Sequence, residues 1–230
     1  MKLKMILAAL VVLSLSSSGA FAQAGTPITS IPSWEVASEF NDSANPSGVW
    51  SYCTKLTTFA TSCSPLSAPY AEMYDPTDIV GWTDPTGSGA TIAHNVHPVP
   101  FTTSNPYPIT VPAHALAMSP GAGGQYAVLR FKAPAKGSYK ISGQFYVLDA
   151  TNFGPGVYWN TTDVEIVKNS TTSVFSSTTD YLFGLKWTSF TSKTVVMNTG
   201  DTLDFQVGYG SNGNNYFDTD GLNAVIEKIK

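Results

Sequence analysis

The chain has 230 residues with 12 Lys+Arg against 16 Asp+Glu, a formal net charge of −4, and it is 43% hydrophobic with only 12% charged residues. That length suits one domain with its own core, and so little charge excludes a charge-driven disordered chain or a coiled coil. Arg130 is the single arginine, so a phosphate-tracking groove for nucleic acid is excluded as well.

In chain order, Lys2 and Lys4 precede an apolar run from Met5 to Leu15, and Ala20-Phe21-Ala22 supplies small residues at −3 and −1. This predicts a secretory signal peptide over residues 1–22, cleaved after Ala22, and a secreted, extracellular protein. The apolar run is too short to span a bilayer, and no later stretch is long enough, so no transmembrane anchor is expected. Residues 23–33 read as an extended N-terminal segment and residues 34–230 as a single domain. Export makes Cys53 and Cys63, the only two cysteines, a predicted disulfide, since thiols oxidise outside the cytoplasm. Two cysteines alone are too few ligands for a zinc site.

Apolar residues alternate with Ser, Thr and Lys through most of the remaining chain, between Gly, Pro, Asn and Asp punctuation. Strands are predicted at Trp34–Phe40, Gly48–Cys53, Thr91–Val96, Tyr126–Lys132, Gly137–Leu148, Thr162–Lys168, Ser173–Phe175, Trp187–Met197, Thr202–Gly208 and Leu222–Ile229. The stretch from Tyr70 to Thr110 is dense in turn signals and reads as loop-rich. Such spacing predicts an all-β, two-sheet antiparallel sandwich, with Trp50, Leu129, Phe131, Ile141, Phe145, Val164, Phe205 and Val207 in its core.

The run Trp50-Ser51-Tyr52 after Asn45-Pro46, then Ala127-Val-Leu-Arg-Phe-Lys-Ala-Pro-Ala135 and Gly137-Ser-Tyr-Lys-Ile-Ser-Gly143, resembles secreted bacterial domains found ahead of a PEP-CTERM sorting tail. The C-terminal run Gly200-Asp-Thr-Leu-Asp-Phe-Gln-Val-Gly208, with Asn215-Tyr216, Asp218 and Gly221-Leu222, resembles them too. The resemblance implies a jelly-roll sandwich similar in architecture to carbohydrate-binding modules. Met118-Ser119-Pro120-Gly121 stands where those domains tend to carry a Leu-His-Pro-Gly-like turn. The sequence stops at Lys230 without the sorting tail, which implies release or non-covalent assembly rather than covalent anchoring.

Chemistry-bearing residues are sparse. His94, His97 and His114 have no carboxylate or thiol beside them and read as loop or surface residues. Asp163 and Glu165 share one face of a strand and read as the wet face of an outer strand. Asp218 and Asp220, beside the oxygen-rich tract Ser211–Asn215, are candidate calcium ligands, because a hard cation needs clustered oxygens. Tyr158, Trp159 and Asn160 in one loop, and Tyr209 and Tyr216 in another, combine aromatic faces with amide groups. They are the glycan-binding candidates, since sugar rings stack on aromatics while their hydroxyls pair with polar side chains. The leading reading is an exported, non-catalytic glycan-binding or cell-surface protein that takes a polysaccharide partner. The alternative is a self-assembling structural subunit of an extracellular matrix or filament, and a secreted hydrolase is the third reading, for which no catalytic signature is found.

Overall fold

The computed structural model describes residues 31–71, 77–103, 109–149, 160–181 and 183–230. The expected signal peptide, most of the segment 23–33, and Tyr158 and Trp159 lie outside the described residues. The strands run in order β1 (Ser33–Glu35), β2 (Trp50–Lys55), β3 (Ser64–Pro65), β4 (Ala68–Ala71), β5 (Ile79–Thr83), β6 (Thr91–Asn95), β7 (Phe101–Thr102) and β8 (Thr110–Val111). They continue with β9 (Leu116–Ser119), β10 (Tyr126–Lys132), β11 (Gly137–Val147), β12 (Asp163–Lys168), β13 (Thr172–Thr178), β14 (Trp187–Ser189), β15 (Lys193–Met197), β16 (Thr202–Gly208) and β17 (Asp220–Lys228).

These strands make an all-β sandwich of two large antiparallel sheets. A nine-stranded sheet runs β14-β11-β17-β9-β6-β5-β4, with β1 on β17 and β15 on β11, and a six-stranded sheet runs β13-β12-β16-β10-β2-β3. From β9 to β12 each strand lies in the sheet opposite its predecessor, the alternation that gives a jelly roll. Side chains of period two put one face of each sheet inward. In the six-stranded sheet Leu129 stands between Tyr52 and Phe205, and Phe205 opposite Ile166. In the other sheet Ile141 faces Ile226 and Phe145 faces Leu222. All eight expected core residues are buried. Phe190 joins them, its ring centroid 5.6 Å from that of Phe145 and 6.1 Å from that of Phe205.

Of the strand boundaries that differ from expectation, two do so for clear local reasons. The strand expected over Trp34–Phe40 ends at Glu35, whose carboxylate accepts the amides of Ala37 at 3.3 Å and Ser38 at 2.8 Å and turns the chain. The strand expected over Trp187–Met197 is two strands. Phe190 enters the core with its N–H donating to the Gly143 carbonyl at 3.0 Å, and Ser192 takes a left-handed φ of 55°. Strand β9 was not expected: Leu116, Ala117 and Met118 are buried in succession, so it shows no alternation.

Candidate functional site

The outward face of the six-stranded sheet carries polar residues in register. Alternation turns Lys55, Tyr126, Arg130, Asp204, Gln206, Asp163 and Glu165 outward, away from Tyr52, Leu129, Phe205 and Val164. Water does not reach all of this face: Lys55, Asp204 and Gln206 are fully buried beneath the loop that follows β2. The disulfide between Cys53 and Cys63, with Cα atoms 5.5 Å apart, closes that loop. Thr58 staples it down, its carbonyl accepting from Lys55 Nζ at 2.9 Å and from Gln206 Nε2 at 3.1 Å.

Burial of charge here is balanced by partners. Lys55 Nζ also donates to Ser170 Oγ at 3.3 Å and to Asp204 Oδ2 at 3.1 Å, which gives its three protons three acceptors. Arg130 grips the same carboxylate with Nε at 2.7 Å and Nη2 at 2.9 Å. Burial pushes the Lys55 ammonium below its ordinary pKa, and the Asp204 carboxylate works against that shift.

Beside the staple the face opens into a groove. Leu56, Thr57, Thr58 and Phe59 of the disulfide loop form one wall, and the far part is lined by Asp163, Thr178, Gly210 and Ser211. Its two parts hold about 540 and 320 Å³ and share Gly124, Tyr126 and Tyr209. Asp163 fixes the floor. Its Oδ1 accepts the Gly210 amide at 2.7 Å, and its Oδ2 accepts the Tyr126 hydroxyl. Burial and that bond push the Tyr126 phenol above its ordinary pKa. Gly208 makes room for the pair: a Cβ there would collide with the Asp163 carboxylate and come within 2.5 Å of the Tyr126 ring. Gly124, at a left-handed φ of +83°, leaves space for Tyr209, whose hydroxyl oxygen would stand 2.9 Å from a Cβ at that position.

The reading of Asp163 and Glu165 as the wet face of an outer strand needs correction. Strand β12 lies between β13 and β16, and both carboxylates are half-buried. Burial and then Asp163 push Glu165 above the usual carboxylate range, and its Oε2 is enclosed without a hydrogen-bond partner among the described residues.

The other candidates are scattered. Asn160 is fully buried rather than displayed in a loop, its amide donating to Asp220 Oδ1 at 3.0 Å. Tyr209 lines the groove, whereas Tyr216 is 58% exposed in a turn outside it. Asp218 and Asp220 are interior, not part of an open loop. Asp220 accepts from Asn160, from Thr162 Oγ1 at 2.5 Å and from Thr179 Oγ1 at 2.7 Å, and burial raises its pKa against those donors. Asp218 Oδ1 accepts the Thr161 amide at 2.9 Å, Oδ2 has no hydrogen-bond partner among the described residues, and burial pushes the carboxyl up to about 8. Among the described residues no three His, Cys, Asp or Glu side chains are grouped to hold a metal. His97 Nε2 lies 2.9 Å from Asp78, and the half-buried His94 packs on Phe40 at 5.3 Å.

Sequence reasoning missed Tyr126, Thr178 and Ser211 as groove residues. Their signal was present in part: Tyr126, Arg130 and Lys132 are outward positions of β10, interrupted by the apolar Val128, and Asp204 and Gln206 are outward positions of β16.

No family model matches the chain, and no curated protein matches it. Solved structures that match include Arthrobacter globiformis T6 isomalto-dextranase complexed with panose, at TM-score 0.30 and 14% identity over 61% of this chain and 22% of that one. They also include Podospora anserina GH26-CBM35 β-(1,4)-mannanase, at TM-score 0.30 and 12% identity over 61% of this chain and 28% of that one. A CBM4 structure matches at TM-score 0.24 and 12% identity, over 56% of this chain and 74% of that one. The chain thus spans well under two thirds of the first two proteins. Likeness of this degree decides nothing about function, and the sandwich assignment stands on the two sheets themselves. Among the described residues no helix is long and apolar enough to cross a membrane.

Proposed function

We propose that this chain is an exported, non-catalytic β-sandwich protein that binds glycan in the tyrosine-lined groove beside its disulfide loop. One observation carries the reading: Tyr126 and Tyr209 share an open groove with a positionally fixed carboxylate, Asp163, and the hydroxyls of Thr178 and Ser211. Ring faces suit the C–H faces of a sugar, and the polar rim suits its hydroxyls. Of the two carboxylates of β12, Asp163 lines the groove with both oxygens hydrogen-bonded to the protein, and Glu165 is not among the groove's lining residues, which supports a binding role. The signal-like N-terminus and the disulfide support export, since disulfides persist in oxidising compartments. The reading makes no use of calcium, because the Asp220 oxygens are spent on three protein donors.

Affinity electrophoresis against a panel of neutral and acidic polysaccharides tests the reading. At least one polysaccharide retards the wild-type chain, with and without chelator, and Tyr209→Ala weakens binding by about 1–3 kcal/mol, the worth of a buried aromatic face. Unchanged wild-type mobility in every polysaccharide overturns it.

A further inference from the structure

The groove has a sign. Among the described residues its lining carries one acidic side chain, Asp163, and no lysine or arginine. The partners of that carboxylate, the Gly210 amide and the Tyr126 hydroxyl, are neutral donors, so nothing they supply offsets its charge. A carboxylate has about four acceptor positions on its two oxygens, and these two bonds leave capacity for further donors. Glu165, two residues along β12, projects from the same face of the strand and adds to the acidic character of this end of the sheet.

The cations of the chain lie elsewhere. Of the 12 Lys+Arg residues, Lys2 and Lys4 fall in the expected signal peptide, and residues 72–76, 104–108, 150–159 and 182, outside the described set, contain neither lysine nor arginine. No undescribed loop of the domain can therefore bring a cation to the groove. Lys55 and Arg130 project from the same sheet face, but both engage Asp204. Lys132 and Lys168 end β10 and β12, whereas Tyr126 and Asp163 begin those strands. At about 3.3 Å per residue they stand roughly 20 and 16 Å away along the strands, beyond the ~8–10 Å over which exposed charges act at physiological salt. The remaining basic residues lie in the turn before β11, in the connection before β14, and on the strands and C-terminal end of the other sheet. In the connection before β14, Lys186 Nζ sits over the Tyr181 ring, 4.6 Å from its centroid.

We propose that Asp163 makes the groove selective by charge: glycans bearing free amino groups bind above neutral ones, and chains bearing uronate or sulfate are turned away. The proposal rests on the groove being a glycan site. An amino sugar brings an ammonium that donates to the Asp163 carboxylate in a charge-assisted hydrogen bond. A neutral sugar brings hydroxyls that donate to the same oxygens without the charge. A uronate or sulfate sets an anion against Asp163 where the lining offers no cation, and the walls of a cleft focus that repulsion. Asp163 is half-buried and open to the groove, so each ammonium gains about two- to fivefold in affinity, as in an ion pair that water still reaches.

Affinity electrophoresis in hydroxyethylcellulose and in dextran, each as the parent polymer and in partly aminated and partly carboxymethylated form, tests this at low and high ionic strength. The aminated form is expected to hold the wild-type chain about two- to fivefold more tightly than its parent, and the carboxymethylated form less tightly. Both differences shrink at high salt, which screens the charges. The chain's net charge of −4 attracts any polycation, so the variants carry the assignment. Asp163→Asn, which keeps an acceptor for the Gly210 amide, lowers the aminated-to-parent ratio about twofold or more. Glu227→Gln, an equal loss of charge on the other sheet, leaves that ratio at its wild-type value. Ser211→Lys, at an exposed position of the groove lining, raises retention by the carboxymethylated forms. Carboxymethylated forms held as tightly as aminated ones, equal ratios in Asp163→Asn and Glu227→Gln, or no retention by any of these polymers overturns the proposal. Retention by the parent polymers without a ranking by charge overturns this proposal and leaves the groove reading standing, whereas failure across the wider polysaccharide panel overturns both.

Discussion

Two regions of this molecule bury carboxylates and resolve the cost differently. Under the disulfide loop, Asp204 meets Lys55 and Arg130, and opposite charges at hydrogen-bond distance offset the cost of burial. At the start of β17, Asp220 and Asp218 meet hydroxyl, amide and backbone donors and no cation among the described residues, and burial drives both carboxyls toward their protonated forms. Opposite charge makes the first region sensitive to the loss of any partner, whereas the second is sensitive to pH.

The largest break in that comparison is Asp204→Ala. It strands Lys55 in the interior and is expected to cost about 3–5 kcal/mol, as for one half of a buried ion pair. Urea unfolding of the oxidised protein measures it, and a cost near that of an average surface substitution would mean water reaches Lys55. Next in size is the double change Cys53→Ser, Cys63→Ser. A loop this short is stabilised by about 2–3 kcal/mol when bridged, and release of the Leu56–Phe59 wall should also remove polysaccharide retardation. Stability lost with retardation kept would separate the disulfide from the groove.

Asp218 sharpens the contrast through pH. Its folded-state pKa, up to about 8 from an ordinary 3.8, means that the native state holds a proton that the unfolded state has lost. Its contribution is therefore fully present below the unfolded pKa and declines as pH rises toward about 8, with no further change above. Thermal unfolding of Asp218→Asn across that window should show a shallower decline than wild type. Parallel curves would place the titration elsewhere, with Asp220 or Glu165 as the next groups to test.

How much of this was legible follows from which residues carry their environment in their pattern. Thr202–Gly208 alternates apolar with polar residues in sequence, and Tyr126–Lys132 does so apart from Val128, so both strands and their inward faces could be read directly, and every expected core residue is buried. Leu116–Ser119 could not, because burial on both faces erases the alternation. Nothing in the sequence marks Lys55 or Asp204 as buried. Their burial depends on a loop closed by Cys53 and Cys63 and stapled by Thr58, a long-range arrangement that no local pattern encodes. Of the glycan-binding candidates Tyr209 lines the groove, and Asn160 does not, because its amide is spent on Asp220.

The bridge between Cys53 and Cys63 also has a consequence in time. The core closes through Trp50, Leu129, Phe205 and their neighbours without help from sulfur, so the sandwich can form while both thiols are still reduced. The wall of Leu56, Thr57, Thr58 and Phe59 lies in the loop that the bond closes, so the bond adds a covalent tie to the Thr58 staple. A reduced chain would thus be folded before its groove wall is fully held. On the proposed reading of an exported glycan binder, oxidation would be the step that completes the groove.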